Sequence, residues 1–143
     1  MNSDPRRRLE DLLDREIELA RVLAATLAAE KTALTGNSPA AVEANAAEKI
    51  RVLEAIEKLD QERRALCESP TSPGIAAAVV ERWRKLMELM AGCRTANDVN
   101  GHIIHVRRHQ IRQLMDIVRG GPSITYDPQG KTFAKALRAL ARA

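Results

Sequence analysis

Asn97-Asp98-Val99-Asn100-Gly101-His102-Ile103-Ile104 is the stretch on which the fold turns. An Asn-Gly pair usually signals a turn. The flanking apolar residues argue against one here. Leu89, Cys93, Ala96, Asn100, Ile103, Ile104, Ile111, Leu114 and Val118 fall on a single stripe at helical spacing, so the segment reads as one long helix. Two weak helix formers then sit inside it, and such local conflicts mark functional or closely packed positions.

Working outward, the helix is bounded by strong punctuation. Ser69-Pro70-Thr71-Ser72-Pro73-Gly74 precedes it, with Ser72 and Pro73 reading as N-cap and first helical residue, and Gly120-Gly121-Pro122 follows it. That places helix three at about 73–119, roughly 65 Å long. Upstream, Asp4-Pro5 opens a helix over 5–35, Gly36 stops it, and Ser38-Pro39 opens the next over 39–68. So short a connection makes the first two helices an antiparallel hairpin. Leu9, Leu13, Ala20, Leu23, Leu27 and Leu34 form the core stripe of helix one. In helix two, Val42, Ala46, Leu53 and Ile56 form one stripe and Val52, Leu59 and Leu66 lie beside it, a width that predicts two neighbours. Leu23 and Leu53 are expected in the core of the hairpin.

The expected fold is therefore all-α: three long antiparallel helices in a coiled-coil-like, up-down-up bundle over 1–119, then a turn and a short amphipathic tail helix over 120–143. Helix three outruns helix one by roughly 20 Å. Its last apolar residues, Ile111, Leu114, Met115 and Val118, are thus expected to lack an intrachain cover. The tail puts Phe133, Leu137 and Leu140 on one side and Lys131, Lys135, Arg138 and Arg142 on the other. Burying the three apolar side chains yields about 5–8 kcal/mol gross. Ordering a dozen residues costs on the order of 12 kcal/mol or more. The tail helix is expected to order only against its own bundle, a second copy of the chain, a partner or a membrane.

The composition agrees with this class. Aromatic residues are 2% of the 143, so the core must come from Ala, Leu, Ile and Val, and the 29% of charged residues suits the outside of long helices. A net charge of +4 permits nucleic acid or acidic partners and demands neither. Cys67 and Cys93 lack Cys-x-x-Cys spacing and fall on apolar faces, which predicts small buried hydrophobes in a reducing compartment. The N-terminal residues alternate charge with Leu rather than forming a signal-peptide core, and no apolar run approaches the ~20 residues of a membrane span. A cytoplasmic location without stable membrane insertion is expected.

The motif Asn97-x-x-Asn100-Gly101-x-Ile103-Ile104, followed some twenty residues later by Thr125-Tyr126-Asp127-Pro128-Gln129-Gly130, resembles the FlgN family of flagellar export chaperones. The family's helical layout covers nearly the whole chain. The resemblance implies an ATP-independent chaperone that binds the helical C-terminal regions of hook–filament junction (hook-associated) proteins and delivers them to the flagellar type III export apparatus. It carries the family motif onto Asn97, Asn100, Gly101, Ile103 and Ile104, and the family's gate-docking Tyr onto Tyr126. No cofactor is implied. Helix-in-groove recognition would lay a client's apolar face on Ile111, Leu114, Met115 and Val118 and on Phe133, Leu137 and Leu140.

Other residues admit blander roles. Asn100 either fixes helix register from within the stripe or meets a partner. Gly101 removes a side chain where another backbone could approach closely. Arg107 lies on the stripe and needs a counter-charge, either Glu30 or Glu43 at a similar level or a group across an interface outside the monomer. His102, His105 and His109 share a face opposite the stripe, where solvated histidines are expected rather than a metal site. Trp83 reads as a packing residue. Walker loops, Gly-x-Ser-x-Gly, His-Glu-x-x-His and dinucleotide fingerprints are missing from the sequence, so an enzyme is not expected. The alternative class is a basic helical nucleic-acid-binding protein using Arg94, Arg107, Arg108, Arg112 and Arg119. No recognised motif organises those arginines. A third class, a peripheral membrane protein anchored by the basic tail, rests on only three bulky apolar residues.

Overall fold

The computed structural model describes residues 4–36, 38–70 and 72–120. These form three helices and no strand: α1 (Pro5–Thr35), α2 (Pro39–Glu68) and α3 (Ala77–Val118). The chain divides into two units, with the boundary between Asp98 and Val99 inside α3. The tail helix expected over 120–143 lies outside the described residues, apart from Gly120.

Both early helix starts follow the same local chemistry. The Asp4 side chain accepts a hydrogen bond from the Arg6 amide at 3.2 Å, and the Ser38 hydroxyl accepts one from the Ala41 amide at 3.2 Å. Each cap precedes a Pro whose missing N–H leaves nothing unsatisfied there. At the far end of α1, the Gly36 amide donates to the Thr32 carbonyl at 3.0 Å.

The third start differs from expectation: α3 begins at Ala77, four residues after Pro73. Gly74 and Ile75 follow that Pro, where Arg6-Arg7 and Ala40-Ala41 follow the others. Gly costs about 1 kcal/mol relative to Ala in a helix, and a β-branched Ile is also a weaker former. Ile75 is 88% exposed, so no packing offsets that cost. The first α3 amides, of Val79 and Val80, donate instead to the Ala76 carbonyl at 3.0 Å.

In the first unit α1 is the central helix. Leu9, Leu13, Ile17 and Ala20 pack with Leu86 of α3, while Leu23 and Leu27 pack with Val52 of α2 and Cys93 of α3. Each fully buried Leu contributes roughly 1.5–3 kcal/mol gross. The order of these contacts makes α1 antiparallel to α2 and parallel to the first part of α3.

Two buried ion pairs set the α1–α2 register. Arg63 donates through Nε to both carboxylate oxygens of Glu16, at 3.0 and 3.1 Å, and pairs through its other arm with Asp60. Lys49 Nζ reaches Glu30 at 3.1 and 3.2 Å. The acids are fourteen residues apart on α1, at 16 and 30, and the cations fourteen apart on α2, at 49 and 63. A slip of one helical turn would separate both pairs and leave Glu16, 2% exposed, without its counter-charge.

Two packing expectations are corrected. Leu53 is 42% exposed and Cys67 is exposed, whereas Leu23 and Cys93 are buried. Helix α2 contributes only Val52 to the buried set. It does meet two neighbours, sharing apolar clusters with α3 and adding contacts to it through long side chains. Arg63 stacks over the Trp83 ring with 4.7 Å to the centroid, and Lys49 Nζ donates to Asn97 Oδ1 at 2.7 Å. Trp83, expected as a packing residue, is 41% exposed beneath that guanidinium.

Candidate functional site

The family motif straddles the unit boundary. Asn97, in the first unit, is exposed, and its carbonyl oxygen takes the third proton of Lys49. Lys49 is thereby held between Glu30 and Asn97.

In the second unit Asn100 is 2% exposed, so its amide is not offered to solvent, and Ile103 and Ile104 are half-buried. A Cβ built on Gly101 would meet no atom within 4 Å. The close backbone approach expected there is therefore not made among the described residues.

Farther along α3, Ile111 is 58%, Met115 41% and Val118 72% exposed, while Leu114 is half-buried. Three of the four residues predicted to form a client surface on this helix thus present apolar area to water. Exposed apolar side chains at such spacing are a familiar feature of helix-docking surfaces. Arg107 is half-buried, and His102, His105 and His109 are exposed. Among the described residues no group of three or more His, Cys, Asp or Glu could hold a metal ion. Tyr126, Phe133, Leu137 and Leu140 lie outside the described residues.

The first unit also carries a groove of about 670 Å³ that the sequence reading missed. Leu23, Leu27 and Cys93 form its buried floor, and Leu53 of α2 and Met87 of α3 stand at its rims, 42% and 40% exposed. Lys49, Arg94 and Asn97 line its polar end. Burial pushes the Cys93 thiol above its ordinary value, and its Sγ lies 3.6 Å from the Ala20 carbonyl, so it acts as a packing group. The buried Glu16 was missed as well, and Glu30, singled out only as a counter-charge for Arg107, is buried and pairs with Lys49. Leu9, Glu16, Leu23 and Glu30 recur every seven residues, which put both carboxylates on the core stripe of α1. That heptad was the available signal.

A protein-family model described as FlgN protein matches residues 5–133. The chain belongs to the FlgN family. The match covers all three helices and extends past the last described residue. No curated protein and no solved structure matches the chain. FlgN proteins are chaperones of flagellar assembly and export. Among the described residues no helix is long and apolar enough to cross a membrane.

Proposed function

We propose that the chain works in the bacterial cytoplasm as an ATP-independent chaperone for hook-associated proteins. In this reading it holds their helical C-terminal segments away from premature assembly and delivers them to the export gate. The observation that carries the reading is the exposed row Ile111, Met115 and Val118 on α3 of a FlgN-family chain. Ile111 and Val118 lie seven residues apart on one side of the helix, with Leu114 and Met115 between them. An amphipathic client helix laid along them covers apolar area now in water. Residues 120–143 serve as a client-binding tail through Phe133, Leu137 and Leu140, and Tyr126 serves as the gate-docking residue.

Calorimetric titration with a purified hook-associated protein tests this. Ile111→Ser with Val118→Ser should leave melting nearly unchanged, because both side chains are largely exposed, while client affinity falls at least tenfold, about 1.4 kcal/mol. Truncation after Gly130 should give a comparable loss. Tyr126→Ala should lower export while client affinity holds. Undiminished affinity in both the double variant and the truncated chain would exclude this surface. Steeply salt-dependent nucleic-acid binding in place of client binding would point to the exposed Arg108, Arg112 and Arg119.

A further inference from the structure

Beyond the distal surface of α3, we infer that the α2–α3 groove of the first unit is a second docking site, for an amphipathic helix that carries a carboxylate near one end of its apolar face.

Three observations support that occupant. The groove is apolar along its length but open at the rims, where Leu53 and Met87 each leave about two-fifths of their surface in water. The Lys49–Asn97 hydrogen bond crosses its polar end, where both residues line it. Its lining on α3 runs from Met87 to Asn97, ten residues or about 15 Å at helical rise, which suits a helix of roughly three turns.

The third observation is chemical. The polar end offers only donors. Glu30 and the Asn97 carbonyl occupy the Lys49 ammonium, and Asn97 then has only its amide N–H groups left to give. Arg94, on the same wall, makes no ion pair or hydrogen bond among the described residues. A planar guanidinium beside an amide donor is complementary to a carboxylate. A cationic helix would meet like charge at that end. This sets the chain's own tail, with its Lys131, Lys135, Arg138 and Arg142, below an acidic helix as the occupant. The role also gives the first Asn of the family motif a task. It holds Lys49 across the groove mouth and turns the remaining polarity of the site to donors.

The chain contains four Met, of which Met87 and Met90 line the groove and Met115 lies on distal α3. Methyl-labelled Met in the full chain therefore separates the two surfaces by NMR. The probe is a synthetic peptide of residues 131–143 carrying Lys131→Glu, Lys135→Glu, Arg138→Glu and Arg142→Glu. The comparators are the unaltered peptide and one with Gln at the same four positions. The acidic peptide should shift Met87 and Met90 saturably, leave Met115 in place, and bind about fivefold or more tighter than the Gln peptide. In an Arg94→Glu chain, which loses no partner on folding, the preference should reverse toward the cationic peptide. Several results would overturn the inference: no saturable shift at Met87 and Met90, shifts confined to Met115, equal affinity for all three peptides, or binding of the acidic peptide only after residues 131–143 are removed. The last would identify the chain's own tail as occupant. Shifts that grow with chain concentration alone would instead identify a second copy and overturn it equally.

Discussion

Gly101→Ala tests whether the motif Gly serves folding or recognition, because the two roles predict opposite outcomes. Gly101 sits within α3, where Gly is about 1 kcal/mol less favourable than Ala. A Cβ there meets no atom within 4 Å, so the folded helix accepts it without strain, and the unfolded chain loses conformational freedom. The substitution should therefore stabilise the chain by about 0.5–1 kcal/mol, or roughly 2–4 °C in Tm. If a client backbone crosses α3 at this point, the same methyl group intrudes on it, and affinity should fall about tenfold while stability rises. Gly92→Ala is the matched control. It is also helical with nothing within 4 Å, but it lies nine residues away, about two and a half turns, and so on the opposite side of α3. It should give the same gain in stability and no loss of affinity. Chemical denaturation and client titration of both variants make the comparison. A destabilised Gly101→Ala would refute the open-space geometry. A stabilised variant with wild-type client affinity would refute the crossing.

Four further outcomes follow from burial and charge. Leu23→Asp places a charge at a site 4% exposed and should cost about 3–5 kcal/mol, whereas Leu53→Asp, at a groove rim 42% exposed, should melt within a few degrees of wild type; collapse of the second would mean the groove is closed in solution. Arg63→Met strands the buried Glu16 carboxylate and should cost about 3–5 kcal/mol, most of it recovered in the Glu16→Met, Arg63→Met pair, as urea titrations would show. Burial raises the Glu16 carboxyl above its ordinary value near 4.5, with Arg63 opposing, so its contribution is full below that value and is lost as pH rises through the folded one; Glu16→Gln should accordingly gain stability relative to wild type between pH 4 and pH 7, and a pH-independent difference would refute the burial effect. Thiol labelling of the native chain should modify the exposed Cys67 quickly and Cys93 only on unfolding, a single fast rate for both being the contrary result.

Two of the three helix starts were legible to the residue because the deciding interactions are local. Asp4 and Ser38 cap through their own side chains, and each following Pro is succeeded by tolerant residues. At Ser72-Pro73 the same punctuation did not start a helix, since Gly74 and Ile75 withhold the propensity a first turn needs and no tertiary contact replaces it. The core stripe of α1 was likewise readable from spacing. Its two carboxylates were not, because periodicity ranks apolar residues and passes over a Glu at a core position unless a cation is sought at the matching interval. Lys49 and Arg63 stand at that interval on α2.

The groove was illegible for a different reason. Periodicity shows which residues of a helix are apolar, not how far apart two helices stand, and the exposure of Leu53 and Met87 depends on that separation. Arg63 stacked on Trp83 and Lys49 bonded to Asn97 join α2 to α3 through long polar side chains, beside the apolar clusters that the two helices share with α1. Both cations are already held on α1, by Glu16 and Glu30. The buried acids that set the hairpin register therefore also fix both contacts, of which Lys49 to Asn97 stands at the polar end of the groove. On this reasoning a Lys49→Leu substitution does more than remove one partner of Glu30: it removes the brace at the polar end, and the Met87 and Met90 methyl groups should register the change before Met115 does.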